Sequence, residues 1–377
     1  MSFVTENTPE EAIEWLERYG LHDDGSAESD ALMEPAHRKL FTQYVEHMLH
    51  SPESTRQTRI SCAHTWLQWL EDRGVIADKA EQEHMFHYVD GMLANDLAHA
   101  SIGSRVDTVV LMYEWGYRRG YFDENPYRGF ELESEYSSEG INRGFPKQVR
   151  VLREKDPEAE PIISISKEQV EKLIEHSGTP RARNQLCNRL LWQTGLRTSE
   201  LASVLIENID EEERSITVRS AKVPIDDEEH PPYRTVYYQE NLEYAMWEWL
   251  HGGARESLYS GDEELDENKG HLLLTRQNSK MRPSHISRTV KESAIRAGIN
   301  EVLYIDAAGK RRWMVTGHTI RHSFATFCAN GDGGTQEPMP LHTLKYLLSH
   351  RSMDTTLKYL WPDGNVRQKH AQRYGPR

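Results

Sequence analysis

Separate segments in the second half of the chain hold side chains that together suit the cleavage of a phosphodiester bond. They are Arg197, Lys222, His318, Arg321, His350 and Tyr359. Such cleavage needs a nucleophile, an acid for the leaving oxygen, and positive charge beside the non-bridging oxygens, where negative charge develops. The first question is whether Tyr359, at the end of LLSHRSMDTTLKY, is a core aromatic or that nucleophile.

Each side-chain type could meet one of these needs. Arg197 and Arg321 carry permanently charged forks that can bind phosphate oxygens in a bidentate manner. His318 and His350 add hydrogen-bond donors, and His318 could accept the tyrosine proton. Because a free tyrosine has a pKa of about 10, Tyr359 would need activation by the arginines or by a nearby base.

Taken one at a time, the same residues have ordinary structural explanations. TGLRTSEL is typical of a junction between two helices, with Thr198 or Ser199 as the cap of the second helix and Glu200 in its first turn. Lys222, at the end of a predicted strand, would serve solubility, and Tyr359 would pack in the core. The order and spacing of the whole set decide between these explanations.

That order and spacing resemble the catalytic domain of the tyrosine recombinase (phage integrase) family. TGLRTSEL resembles the family's first arginine motif, HTIRHSFAT its His-x-x-Arg motif, and LLSHRSMDTTLKY its segment from histidine to nucleophile. The segments TRISCAHTWLQWLEDRG and SIGSRVDTVVLMYEWGYRRGYFDENP resemble the family's core-binding domain. The resemblance extends over about residues 35–360.

The resemblance implies a site-specific DNA recombinase that cleaves and rejoins strands through a 3′-phosphotyrosine intermediate and needs no metal or other cofactor. Tyr359 would attack the scissile phosphate, Lys222 would give a proton to the departing 5′-oxygen, and Glu200 would support the site. Double-stranded DNA is the implied partner, with four copies of the chain joining two DNA sites as a tetramer. Accessory DNA-bending or directionality proteins are further candidate partners.

Two other functions remain open for the same fold. A type IB topoisomerase-like enzyme would use the same cleavage chemistry but rejoin the original strand. The second is a regulator with the same fold, which binds DNA but does not cut it.

Charge is distributed unevenly along the chain, whose net charge is −15. Residues 1–34 have a local charge of −9, whereas residues 269–377 have a local charge of +11. The basic C-terminal third suits a polyanion. The acidic first residues are expected to contact another protomer or to shield the unbound protein. The acidic segments VPIDDEEHPP and SGDEELDEN are expected to face away from a duplex.

Amino-acid composition also indicates the cellular compartment in which the protein is expected. Cys62, Cys187 and Cys328 lie far apart and form no CxxC pair, which argues against a disulfide framework and a cysteine-based zinc site. The sequence has no apolar run of about 18 residues, and its acidic start is unlike a secretory signal. A cytoplasmic, nucleoid-associated protein without membrane contact is expected.

Length and periodicity predict a mainly α protein with a small antiparallel β-sheet. The predicted parts are an acidic N-terminal extension (1–34), a helical SAM-like core-binding domain (35–130), a linker (131–161), and a catalytic domain with a short C-terminal tail (162–377).

The local signals behind this division are of three kinds. HRKLFTQYVEHML is one of several segments with apolar residues three and four apart, the helical period. Ser166 and Gln169 fit a capping box, and RSITVRSAK and YRTVYY alternate as paired strands do. The linker holds a basic run that could follow a phosphate backbone, namely Arg143, Lys147, Arg150, Arg153 and Lys155.

Overall fold

The computed structural model describes residues 8–22, 26–28, 31–136, 162–220, 232–258, 270–275, 280–305, 310–331 and 336–360. Within these ranges the chain is mostly helical and carries two small antiparallel sheets. The predicted fold class is confirmed. The chain divides into two compact units, Met1–Lys147 with Asp306–Lys310, and Gln148–Ile305 with Arg311–Arg377.

The first unit is built from amphipathic helices. They are Glu10–Glu17 (α1), Pro35–Met48 (α2), Glu53–Glu71 (α3), Gln82–Ala94 (α4), His99–Arg118 (α5) and Leu132–Glu135 (α6). Helices α2, α3 and α5 occupy segments that the apolar period predicts. Just beyond α3 the chain turns at Gly74, whose φ of 67° is a conformation that glycine adopts without strain.

Helix α1 is part of the core of this unit. Ala12, Leu16 and Leu21 are fully buried against its other helices, and Glu11 forms an ion pair with Arg56 of α3. The residues before position 35 were predicted as an acidic extension. Those that the structure describes expose most of their acidic side chains and bury apolar ones in the core of the first unit. At the other end, Leu132, the first residue of α6, is buried in the same core although the predicted linker begins at 131.

A buried histidine connects α2 to the end of α3 and to the residues that follow. Nε2 of His37 accepts a hydrogen bond from the backbone N–H of Ala77 at 2.8 Å, and Nδ1 lies 3.1 Å from a carboxylate oxygen of Glu71. Because a backbone N–H can only donate, Nε2 carries no proton and Nδ1–H donates to Glu71. Burial outweighs the attraction of Glu71 and lowers the pKa of His37.

We expect acid to destabilise the protein through His37. Its pKa is lower in the folded than in the unfolded state, so its contribution to stability is complete above its ordinary value of 6.5 and decreases as the pH falls below it. Urea unfolding at several pH values should show a smaller acid sensitivity in His37→Gln than in the wild type. His87→Gln, which changes an exposed histidine of α4, should keep the full acid sensitivity. If the free energy of unfolding depended on pH equally in all three proteins, His37 would not be the source of the acid sensitivity.

The second unit combines helices with the two sheets. Its helices are Lys167–Glu175 (α7), Arg181–Thr194 (α8), Thr198–Ala202 (α9), Glu243–Leu250 (α10), Pro283–Arg296 (α11), Gly317–Asn330 (α12), Leu341–Leu348 (α13) and Met353–Leu357 (α14). Its strands are Ile209–Asp210 (β1), Ser215–Arg219 (β2), Tyr233–Tyr237 (β3), Val302–Ile305 (β4) and Arg311–Trp313 (β5).

The larger sheet has the order β1-β2-β3 and is antiparallel throughout. Ile216 of β2 is opposite Val236 of β3, and both are fully buried against the helices. The predicted pairing of these strands is confirmed, as is the capping box at the start of α7, where Ser166 and Gln169 exchange bonds of 3.3 and 2.9 Å. The β4–β5 hairpin is not predicted by the sequence patterns.

Several predictions concern residues outside the described ranges. These are the basic linker run Arg143, Lys147, Arg150, Arg153 and Lys155, most of the two acidic segments, and the C-terminal tail from 361 onward. They stay predictions. Within the described part of the chain, no helix has both the length and the apolar character needed to cross a membrane.

Candidate active site

A buried carboxylate lies at the centre of the candidate site. Glu200, in the first turn of α9, is 1% exposed, and its oxygens accept hydrogen bonds from the backbone N–H of Arg197 at 2.9 Å and from Nη1 of Arg197 at 2.8 Å. Arg234 of β3 donates to both oxygens, at 3.2 and 2.8 Å. Nη1 of Arg321 lies 3.9 Å from Oε2. One anion is thus shared among three cations.

These contacts fix the charge of the cluster. Burial alone would raise the pKa of Glu200, but the hydrogen bonds and charge of Arg234 and the charge of Arg197 lower it from 4.5 to about 2. Burial, followed by repulsion from Arg197, lowers the pKa of Arg321 to about 9. At neutral pH the Glu200 carboxylate is therefore ionised, and because arginine keeps its charge in proteins these four side chains carry a net positive charge.

Gly195 permits the close approach on which this cluster depends. It ends α8 with a φ of 62°, a left-handed conformation in which a side chain is strained. A Cβ at this position would also clash with the ring of Phe324 in α12. Because no side chain intervenes, α12 packs close to this turn, and Nη1 of Arg321 donates to the Gly195 carbonyl at 2.6 Å.

Three arginines bind carbonyl groups at the C-terminal end of α13, where the last carbonyls of a helix have no partners within it. Arg234 Nε donates to Leu347 O at 2.8 Å, Arg321 Nη2 donates to Leu348 O, and Arg197 Nη2 donates to Ser349 O at 3.4 Å. Positive charge is also favourable at a helix C-terminus because of the helix dipole. The end of α13 is thereby held against the cluster, and His350 follows at once in the chain.

His350 is buried beside the arginines and is held by its own contacts. Its Nδ1 lies 3.0 Å from the hydroxyl oxygen of Thr356. Burial, followed by the charges of Arg321, Arg197 and Arg234, lowers the pKa of His350 to about 3. The ring is therefore neutral at physiological pH.

Tyr359 is both packed and hydrogen-bonded. The residue is 4% exposed, and its ring packs with Phe324 and Leu348 in a small core of the second unit. Its hydroxyl oxygen lies 2.8 Å from Nδ1 of His322, and its ring is stacked on that of His350, with centroids 5.9 Å apart and planes at 9°. Burial raises the pKa of Tyr359, while the charges of Arg321 and Arg197 act in the opposite direction.

His318 lies one turn before His322 on α12. The edge of its ring meets the ring of His322, with centroids 4.2 Å apart, and its side chain is exposed. His318 is thus placed at the surface of the cluster, on the helix that also carries Arg321.

The structure brings most of the predicted site residues together in the second unit. Those gathered around the cluster are Arg197, Glu200, His318, Arg321, His350 and Tyr359. Lys222 lies outside the described residues, and its assignment stays a prediction. The predicted cap of α9 at Thr198 or Ser199 is wrong, because the helix begins at Thr198 with Arg197 as its N-cap and Glu200 binds the Arg197 N–H.

Two contributors were not assigned a role from the sequence. Arg234 is 3% exposed, and its guanidinium is bonded to Glu200, Ser220 and the Leu347 carbonyl, which suits a structural role. His322 was not considered at all. The available signal was its position directly after Arg321 and one helical turn after His318 in HTIRH.

Comparison with known proteins agrees with this geometry. The sequence model of the phage integrase family matches residues 164–364, which is more than half of the chain. The chain belongs to the phage integrase family. The family predicted from the sequence is thereby confirmed.

Individual relatives are similar over different lengths. Tyrosine recombinase XerA of Pyrococcus furiosus is 30% identical over 228 residues, which are 60% of this chain and 66%, just under two thirds, of that protein. Tyrosine recombinase XerC of Pediococcus pentosaceus is 23% identical over 341 residues, 90% of this chain and 97% of the relative. A solved structure of the Tn1549 transposon integrase has the same fold, with a TM-score of 0.62 at 16% identity over 90% of this chain and 99% of the other.

We expect Glu200→Gln to destabilise the protein by about 3–5 kcal/mol, because it leaves buried guanidinium groups without their carboxylate. Urea unfolding would measure the change in the free energy of unfolding. The matched control is Glu243→Gln, which removes a carboxylate from a partly exposed pair with Arg214 and should cost at most about 1 kcal/mol. An equal decrease in the free energy of unfolding in the two variants would show that the buried network contributes no more to stability than an exposed ion pair.

Proposed function

We propose that the protein is a site-specific DNA recombinase that cleaves and rejoins DNA strands through a 3′-phosphotyrosine intermediate. The observation that carries the proposal is the position of Tyr359, whose hydroxyl is held by an imidazole and lies within the field of Arg321 and Arg197. Membership of the phage integrase family supports it. So does the structure of the similar Tn1549 integrase, which was solved in complex with transposon right end DNA.

The two arginines would bind the non-bridging oxygens of the scissile phosphate. A guanidinium has five N–H donors. In Arg197 the bonds to Glu200 and Ser349 use two of them, and in Arg321 the bonds to the Gly195 and Leu348 carbonyls use two. Beyond these bonds among the described residues, each fork has further N–H groups that could bind a phosphate, and the fixed orientation of both forks means that little reorganisation is needed when charge develops. His318 and His350 would add hydrogen-bond donors at the same phosphate.

In the first step, the Tyr359 hydroxyl would give its proton to His318, its oxygen would attack phosphorus to form a new P–O bond, and the bond to the 5′-oxygen would break. Lys222 would give its proton to that oxygen, as predicted from the sequence. The phosphodiester energy is kept in the phosphotyrosine bond; a 5′-hydroxyl of a second strand would then attack it, give its proton to Lys222 and release Tyr359, which would take its proton back from His318. Religation thus needs no external energy source.

The proposed partners are double-stranded DNA and further copies of the same chain, four on two DNA sites. Accessory DNA-bending or directionality proteins are further candidates. The basic linker run Arg143, Lys147, Arg150 and Arg153 would follow the phosphate backbone. A protein with these partners would work in the cytoplasm, at the nucleoid.

We expect Tyr359→Phe to keep DNA binding and to lose all covalent product, because phenylalanine has no nucleophilic oxygen. Nicked suicide duplexes taken from the DNA that flanks the protein's own gene would trap the intermediate as an adduct on a denaturing gel. Adducts that survive in Tyr359→Phe would refute the assignment of the nucleophile. Tight binding without any wild-type adduct, on several flanking duplexes, would favour the non-cutting regulator.

A second assay separates recombination from topoisomerase-like religation. Two duplexes with different end labels are incubated with the wild-type protein. Recombination yields products that carry one label from each duplex, whereas relaxation of supercoiled DNA without exchanged labels would favour the topoisomerase-like function.

We expect Lys222→Ala to be rescued by a substrate in which sulfur replaces the scissile 5′-oxygen, because a thiolate leaves without a proton. On ordinary DNA the variant should form adducts more slowly than the wild type by a factor of about a hundred or more. Arg321→Ala, tested in parallel, should not be rescued by sulfur, since it removes charge at the non-bridging oxygens. Failure of the sulfur substrate to rescue Lys222→Ala would move the acid role to another residue.

A further inference from the structure

We infer that His322 is a positioning residue for the nucleophile, which holds the Tyr359 hydroxyl so that its oxygen faces the phosphate that the arginines would bind. The inference rests on the proposed function and extends it to a residue outside the motif positions. Its basis is the 2.8 Å contact between Nδ1 of His322 and the Tyr359 hydroxyl. The rings lie 5.6 Å apart at an angle of 43°, so the contact is made through the nitrogen and not by stacking.

Helix α12 holds Tyr359 at two points. His322 binds the side-chain hydroxyl, and Nδ2 of Asn330, the last residue of the helix, donates to the backbone carbonyl of Tyr359 at 2.9 Å. The same helix carries Arg321, the arginine bonded to the Gly195 carbonyl. One rigid element therefore sets the distance between the nucleophile and a phosphate-binding arginine.

The third constraint acts on the plane of the tyrosine ring. The ring of His350 is stacked on one face of the Tyr359 ring at 9°. With the backbone, the ring plane and the hydroxyl each held by a different side chain, rotation about the side-chain bonds is restricted. Loss of the contact with His322 would allow the hydroxyl to move. A displacement of about 1 Å at a reacting atom can reduce the rate about a hundredfold.

The groups around His322 keep its imidazole neutral. Burial, followed by His318, Arg321 and His350, lowers the pKa of His322 to about 3. The titratable and charged groups that face it are His318 and Arg321 on its own helix, His350 before α14, and Tyr359 after α14. A neutral imidazole can accept the O–H of a phenol at whichever nitrogen carries no proton. A group so hard to protonate is poorly suited to keep the tyrosine proton, which is why we assign orientation and not general base catalysis.

The test compares two replacements of His322 in the full-length protein with the nicked suicide duplex. His322→Leu removes the nitrogen that contacts the hydroxyl, whereas His322→Asn places a hydrogen-bonding amide group close to the position of Nδ1. We expect His322→Leu to form the adduct about tenfold to a hundredfold more slowly at saturating DNA, with unchanged DNA affinity. His322→Asn should recover most of the rate and keep the wild-type pH profile. His176→Leu, at an exposed histidine at the end of α7, is the matched control and should be unchanged.

Other outcomes would overturn the inference. Slow adduct formation in His322→Asn, together with an altered pH profile of that rate, would identify His322 as the proton acceptor. If His322→Leu forms the adduct faster than the wild type, the contact restrains the tyrosine. If it forms the adduct at the wild-type rate, the contact is irrelevant to cleavage. Absence of adducts from the wild type would instead refute the proposed recombinase function, so the two failures are distinguishable.

A spectroscopic measurement covers the case in which His322→Leu does not fold. In protein labelled with ¹⁵N-histidine, the Nδ1 resonance of His322, assigned with His322→Asn, should shift when Tyr359→Phe removes the hydroxyl. An Nδ1 resonance that is the same in the wild type and in Tyr359→Phe would show that the bond is absent in solution, and the inference would be wrong.

Discussion

The ion cluster around Glu200 is the interaction on which the rest of the candidate site depends. Three guanidinium groups near one another in a buried region would repel one another strongly, because low dielectric surroundings screen charge poorly. A single ionised carboxylate, bonded to Arg197 and Arg234 and close to Arg321, makes their proximity tolerable. It does not neutralise them, and the charge left over is what a phosphate group requires. Structural and functional demands are therefore met by the same electrostatic balance.

The cluster also organises the backbone around it. Each of the three arginines binds one of the successive carbonyl groups at the end of α13, from Leu347 to Ser349. The segment ANGDGGTQEPMP, which precedes this helix, is long, and a long segment could have displaced His350. The arginines hold the far end of the helix, next to His350, against the cluster.

Sequence reasoning predicted those features that have a local cause. Helices such as α3 and α12 show a sustained apolar period, and the Ser166 cap depends on two residues that are three apart. The β4–β5 hairpin was missed because its strands have four and three residues, too few for an alternating pattern to stand out. The predicted cap of α9 was wrong because the helix begins at Thr198 with Arg197 as its N-cap, and Glu200 accepts from the Arg197 backbone N–H.

The same distinction holds for the candidate site. The order of the motifs predicts Arg197, Arg321, His350 and Tyr359 as site residues, and the structure brings these four side chains close together. The contact of His322 with Tyr359 joins residues 37 apart and arises from the packing of α12 against the end of the chain's described part. A helical period places His322 on α12, but it does not show which distant residue the imidazole meets. Contacts of this kind follow from tertiary structure, and a single sequence does not determine them.

The burial of Tyr359 has a consequence for the fate of the covalent intermediate. In the proposed recombinase, the tyrosine side of a phosphotyrosine bond would be enclosed by Phe324, Leu344, Leu348 and the ring of His350. An in-line nucleophile must approach phosphorus from the side opposite the tyrosine oxygen, so the entering 5′-hydroxyl would have one direction of attack. The apolar packing of one aromatic ring would thus set the direction of strand exchange, in addition to its part in the core of the second unit.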